Sequence, residues 1–240
     1  MTNINFSGFH PEWHELIKNA LVVMDKDYLK QLTQESTWLP GISQLFAAFS
    51  MPLSQTRYIL FGESPYPRAI SANGYAFWDQ SVESLWSVQG LSKPVNRATS
   101  LRNWIKMLLV ARGSLSTDTS QSAIAALDKS TLVQTATDFF EGMMKKGILL
   151  LNASLVYSEG KVPYHARHWM PFMQELLKQL ETTRAADIEL ILFGRIAKTL
   201  VPNKLPIALS AEHPFNLSFI TNSEVIQFFQ PLDLLSNEQL

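Results

Sequence analysis

Tyr58-Ile59-Leu60-Phe61-Gly62-Glu63-Ser64-Pro65-Tyr66-Pro67, followed by Gly74-Tyr75-Ala76-Phe77, is the stretch on which the reading of this 240-residue chain turns. Tyr58 to Phe61 is a short, bulky apolar run with the form of a buried strand. Gly62 breaks the run and frees the backbone to turn. Glu63 and Ser64 stand at the strand's exit, and two prolines stiffen the loop on either side of Tyr66. As pattern alone this is a strand-to-helix connection made of ordinary turn residues. Loops that leave the carboxyl ends of strands are also where open α/β sheets place their chemistry.

Composition narrows the classes. A hydrophobic content of 46% over 240 residues supports one large α/β domain with a sizeable core, and the whole of 1–240 reads as a single domain. There is no cysteine, which removes disulfides, thiolate nucleophiles, iron–sulfur clusters and cysteine-ligated zinc. No apolar run approaches the roughly 20 residues of a membrane span, and the first residues lack the basic-then-apolar form of a secretory signal. A cytoplasmic monomer without cofactor or metal is the expectation. The formal net charge of −1 gives no general attraction to polyanions, so any binding of DNA requires a local site.

Trp13, Leu16, Ile17, Ala20 and Leu21 repeat at helical spacing. His10 and His14 near that helix start have a metal-compatible spacing but no third ligand nearby, and are read as surface histidines. Tyr28 to Gln34 is a second short helix. Ile42, Leu45, Phe46 and Phe49 form another helical stripe, and Ser71 to Lys93 is irregular, with room for one short strand. Leu101, Trp104, Ile105, Leu108 and Leu109 define a helix capped by Ser100 or Thr99. Gly113 to Gln121 is a polar loop, and Ser122 to Lys146 is helical. Further apolar strands are expected at Ile148–Leu151, Ile188–Phe193 and Leu205–Leu209, with a loop at Lys161–Arg167, a helix through Phe172, Leu176 and Leu180, and a helix start after Gly194. The alternation predicts an α/β fold with a central, mostly parallel four-stranded sheet flanked by helices.

In a parallel sheet the exits of the strands gather at one edge. Glu63 and Ser64, Asn152, and His213 each follow a strand candidate, and a carboxylate, an amide and an imidazole at one edge make a polar pocket. Read singly, each is also an ordinary strand-end or loop residue. No phosphate-cradling glycine loop or metal-ligand cluster points elsewhere.

The opening stretch resembles the first motif of the uracil-DNA glycosylases, G-Q-D-P-Y-H followed by G-L-A-F at a fixed distance. Gly62-Glu63-Ser64-Pro65-Tyr66-Pro67 and Gly74-Tyr75-Ala76-Phe77 align with it without a gap. Leu149-Leu150-Leu151-Asn152 with Leu155 is similar to that family's L-L-L-N-x-x-L. Trp169 and Phe172 resemble its W-x-x-F, and Leu192 to Ala197 its L-W-G-x-x-A. Ser100-Leu101-Arg102-Asn103 is similar to its S-L-x-N, and His213-Pro214-Phe215-Asn216-Leu217-Ser218 to its H-P-S-P-L-S. The matches keep family order over roughly residues 25 to 225.

The resemblance implies hydrolysis of the bond between uracil, or a related damaged base, and deoxyribose in DNA, with the base taken out of the stack. By that resemblance Phe77 stacks on the base, Asn152 reads its Watson–Crick edge, and Tyr66 fills the space that thymine's methyl group needs. His213 bonds O2 of the departing base, Leu217 is the apolar wedge, and Ser100 and Ser218 contact phosphates. The departures sit close to the chemistry. The family's loop aspartate is Ser64, its glutamine is Glu63, and its final loop histidine is Pro67. Glu63 matches instead the G-E-A-P-G loop of the iron–sulfur branch, whose cluster cysteines are absent. Phe215-Asn216 replaces Ser-Pro, and Tyr164-His165 replaces Ser-His ahead of the W-x-x-F. These changes predict weak or absent excision raised by Ser64→Asp, with Glu63 as the carboxylate in reserve. The alternative they leave open is a glycosylase fold that binds a base, DNA or a protein partner with little cleavage.

Overall fold

Short apolar runs ended by Gly or Asn become strands here, and the amphipathic stripes between them become helices. The computed structural model describes residues 8–182, 187–196 and 204–237. In chain order the elements are α1 His14–Val22, α2 Lys26–Gln34, β1 Tyr58–Gly62, β2 Trp86–Ser87, β3 Gly90–Leu91, α3 Lys93–Arg97, α4 Thr99–Ala111, α5 Gln121–Ala125, α6 Ala136–Lys145, β4 Ile148–Asn152, α7 Val162–Thr182, β5 Glu189–Phe193, β6 Ile207–Ala211 and α8 Ser223–Phe229. The central sheet has four strands in the order β4-β1-β5-β6. β1 runs parallel to both its neighbours, with Gly62 opposite Asn152 and Phe61 opposite Leu192. This is the parallel α/β sheet expected from the alternation of elements.

The chain divides into two compact units, Met1–Asp79 with Gly147–Ala208 and Gln80–Lys146 with Leu209–Leu240. In the first, Ile59, Leu60, Phe61, Leu150, Leu151, Leu190 and Ile191 are wholly buried, the mark of strands covered on both faces. Each such side chain contributes roughly 1.5–3 kcal/mol relative to leaving it in water. α1 packs along α7, with Trp13, Ile17 and Ala20 inward. Asn19 donates to Gln179 at 3.0 Å and Gln179 to the Leu16 carbonyl at 3.1 Å, tying the two helices. In the second unit, α4 buries Leu101, Trp104, Ile105 and Leu108 and packs on α8 and on the 3-10 turn Leu217–Thr221. The Trp104 ring meets Phe219 and Phe229 edge-on at 6.4 and 5.7 Å.

Several local expectations change. The helix expected over Ser122–Lys146 is two helices, α5 and α6, with an irregular span between them. Ser130 N–H bonds the Asp128 carboxylate, and the Thr135 hydroxyl caps α6 by accepting from Asp138 N–H. Such side chains offer the backbone a better partner in a turn than in a helix. Trp86 Nε1 also donates to the Val133 carbonyl at 2.7 Å, which fixes the span. The segment Lys161–Arg167, expected as a loop, opens α7, and Pro163 falls in the first turn, where its missing N–H costs nothing. α4 carries no side-chain cap from Thr99 or Ser100, because the helix begins at Thr99 and its N-cap position falls on Ala98, whose methyl group accepts nothing. Ile42–Phe49 forms two 3-10 turns, Ile42–Gln44 and Ala47–Ser50. Ser71–Lys93 holds an antiparallel pair, β2 and β3. The helix expected after Gly194 runs into residues outside those described. No helix among the described residues is long and apolar enough to cross a membrane.

Candidate active site

The exits of β1 and β4 are laced together by backbone. Ala153 N–H donates to the Gly62 carbonyl at 2.8 Å, and Ser154 N–H to the Glu63 carbonyl at 3.0 Å. Asn152, at the last position of β4, is buried at 2% exposure. Its Nδ2 has no hydrogen-bond partner among the described residues, a costly state for an amide kept from water. Room for this side chain comes from Gly62. A Cβ at position 62 would lie 2.5 Å from Asn152 Oδ1 and 2.9 Å from the Ala76 methyl carbon.

Phe77 is fixed from both sides. Ala76 N–H donates to the Leu150 carbonyl at 3.1 Å, pinning the segment to β4. The Tyr66 hydroxyl donates to the Phe77 carbonyl at 3.2 Å. Between these anchors Phe77 has φ of 63°, a left-handed conformation that a bulky residue keeps only when its surroundings impose it. The turn into the segment uses Gly74 at φ 87°, where a side chain would strike the Gln44 carbonyl. Phe77's ring meets Phe193 of β5 edge-on at 6.2 Å.

Tyr66 stays a neutral phenol. Burial pushes its pKa up to about 12, and the nearby Asp79 charge adds to the effect against a smaller opposing pull from Arg68. Arg68 Nη2 and Asp79 Oδ2 form an ion pair at 3.0 Å in which the acid is buried and the base largely exposed. This pair ties the end of the Pro65–Pro67 loop to the residue just beyond Phe77-Trp78. Neither Arg68 nor Asp79 stands out in the sequence, since the pair closes between two irregular segments.

Glu63 and Ser64 have different surroundings. Ser64 is half-buried. The Glu63 side chain is exposed and lines an apolar cleft of about 230 Å³ whose other walls include Val162, Ala166, Met170 and Met173 of α7 and Arg195. Ser64, Tyr66, Phe77 and Asn152 are not among the residues of that cleft.

Ser100, His213, Leu217 and Ser218 belong to the second unit. His213 Nδ1 accepts the Phe215 N–H at 3.1 Å, so in this tautomer the ring proton sits on Nε2. Asn103, fully buried on α4, donates from Nδ2 to the carbonyls of Pro214, Phe215 and Asn216 at 2.8, 3.3 and 3.4 Å. Its own Oδ1 accepts from Arg102 Nε at 3.3 Å. The loop after His213 is therefore held by one amide, and from it Phe215 and Leu217 stand out at 64% and 70% exposure. The Ser218 hydroxyl is taken by the Glu212 carboxylate. Ser100 is half-buried at the start of α4. The Asn103 clamp escaped sequence reasoning although it lies in the quoted Ser100–Asn103 segment, because its partners are more than a hundred residues away along the chain.

Comparison with known proteins bears on the family and the fold. No protein-family model matches the chain. The crystal structure of wild-type UNG from Nitratifractor salsuginis is similar at 44% identity, with 95% of this chain and 93% of that one covered and a TM-score of 0.90. The uracil-DNA glycosylase of Lactococcus lactis subsp. cremoris is 29% identical over 216 residues, 86% of this chain and 84% of that one. That of Helicobacter pylori strain HPAG1 is 28% identical over 220 residues, 86% and 83% of the two chains. The chain belongs to the uracil-DNA glycosylase superfamily.

Proposed function

We propose that this protein is a DNA-repair hydrolase that cleaves the N-glycosidic bond of uracil in DNA. The observation that carries the reading is the buried Nδ2 of Asn152, without a partner among the described residues, given room by Gly62 and set in the same unit as a Phe77 locked in a strained conformation. An orphan donor and an ordered aromatic ring in one unit suit a flat ligand that brings its own acceptor.

The residues then take these parts. The target nucleotide leaves the stack, and Leu217 fills the space it vacates. Phe77 stacks on the base, and Asn152 Nδ2 donates to its O4. Water adds to C1′ as the bond from C1′ to N1 breaks, the electron pair leaves with the base as a uracil anion, and the proton given up by the water ends on that anion to give free uracil. His213 is assigned to donate from Nε2 to O2 as charge collects there, the kind of hydrogen bond that stabilises a departing anion. Ser64 holds the water, and the Glu63 carboxylate balances the cationic sugar. Ser100 contacts a phosphate. Glu212 competes with phosphate for Ser218, which makes Ser218 the weaker of the two contacts.

The test is release of free base from an oligonucleotide carrying one uracil, with the thymine-containing strand as control. Release of uracil alone supports the reading. Binding of the uracil strand without release supports the binding-protein alternative.

Tyr66→Ala is expected to admit thymine. The half-buried phenol is held at one end by the Phe77 carbonyl and feels the charges of the Arg68–Asp79 pair, so removing it opens room for a methyl group. A methyl group in such a pocket is worth roughly a tenfold to two-hundredfold discrimination. The measurement is the ratio of thymine to uracil release in wild type and variant. An active variant with an unchanged ratio places the discrimination elsewhere.

A further inference from the structure

We infer that Phe215 is a second wedge, which stacks on a nucleobase of duplex DNA beside the nucleotide displaced at Leu217. The inference rests on the glycosylase reading, and Phe215 takes no part in the chemistry assigned there.

Single exposed apolar residues are common and mean little. Phe215 differs in three respects. First, it is 64% exposed and stands two positions from Leu217, itself 70% exposed, so the loop presents a pair of large apolar side chains to solvent. Second, the backbone beneath the pair is fixed. The carbonyls of Pro214, Phe215 and Asn216 all accept from Asn103, the Phe215 N–H is spent on His213, and Asn216 N–H bonds the His213 carbonyl at 2.9 Å. A ring held on an ordered backbone loses little entropy on binding. Third, the polar means of gripping DNA are reduced in this loop. Ser218 is engaged by Glu212, and the chain's formal net charge is −1. Affinity that does not come from released counterions has to come from elsewhere, and every base offers a π-face to an aromatic ring.

The geometry of the chain permits it. Two residues of extended backbone reach at most about 7 Å. Successive bases on one strand are about 3.4 Å apart. A ring two positions from the wedge can therefore reach a base flanking the gap or the base left unpaired opposite it. Both are nucleobases of duplex DNA made accessible by the same displacement.

The experiment measures binding of the full chain to a duplex carrying one 2′-fluoro-2′-deoxyuridine, which resists cleavage, and to the matching thymine duplex. Phe215→Ala is expected to weaken binding of the uracil duplex by about 5- to 100-fold, the range of one lost base–aromatic stack. Phe215→Trp should keep it. Inhibition by free uracil and the thermal unfolding midpoint should stay at wild-type values in both variants, which a general disturbance of the loop would not allow. Phe215→Ala binding that matches wild type, or equal losses in duplex binding and free-uracil inhibition, overturns the inference. A wild type that binds both duplexes alike would instead count against the glycosylase reading. The Phe215 comparison would still be read on either duplex. A wild type that binds neither overturns both.

Discussion

Replacing Gly62 with alanine is expected to lower uracil excision by about a hundredfold, the scale of a displacement of about 1 Å in a catalytic constellation. The reason is local and steric. The added methyl carbon would lie 2.5 Å from Asn152 Oδ1 and 2.9 Å from the Ala76 methyl carbon, both far inside contact distance. Ala76 cannot retreat, since its N–H is bonded to β4, so the amide of Asn152 must move. Asn152 is buried and follows directly on four wholly enclosed strand residues, which leaves it few other positions. The amide that moves is the group assigned to read the base. Overpacking should also cost about 1–3 kcal/mol of stability. The two effects separate in the measurement: excision at a temperature where circular dichroism reports a folded variant, together with inhibition by free uracil. A folded Gly62→Ala protein that excises uracil at the wild-type rate would show that Asn152 is not the base-reading group.

What could be read from the sequence followed the physics of burial. β1 and β4 are covered on both faces, so each needs an unbroken apolar run, and such runs are visible as Tyr58–Phe61 and Ile148–Leu151. Parallel pairing then brings their ends together, and Gly62 does lie opposite Asn152. Residues that act through distant partners left no such trace. Asn103 is one polar residue in an amphipathic helix until the loop at Pro214 folds onto it. Arg68 and Asp79 pair across irregular chain that has no period to read. The span between α5 and α6 failed for a related reason. Its apolar residues Leu132 and Val133 fit a helical stripe, but they are buried by backbone bridges to Ser236 and Leu235, which no local pattern announces. The same limit applied to Glu63. Its position beside Ser64 was plain, whereas the cleft it lines depends on α7, a hundred residues later.

Glu63→Gln is expected to reduce kcat by about a hundredfold, with Ser64→Asp recovering much of the loss when added to it. As the glycosidic bond breaks the sugar becomes cationic, and a hydroxyl at Ser64 carries no charge to oppose this. Two acids lie between Tyr58 and Asp79, Glu63 and Asp79. Asp79 is buried and bound to Arg68, and its release would cost that pair. Glu63 is exposed, its backbone is fixed through Ser154, and it lines an apolar cleft. A long, exposed side chain of this kind changes rotamer at small cost. DNA that covers it would strip away the water that now screens its charge. Two carboxylates on neighbouring residues repel, so Ser64→Asp should raise the rate of the Glu63→Gln variant more than that of wild type. That inequality is the signature of one shared role, and independent roles would give equal gains. The measurement is single-turnover uracil release by wild type, both single variants and the double variant. If Glu63→Gln keeps the wild-type rate while Ser64→Asp accelerates it, the charge is missing from the native site and Glu63 has no part in the chemistry. If all four are folded and inert, the protein binds its base without cleaving it.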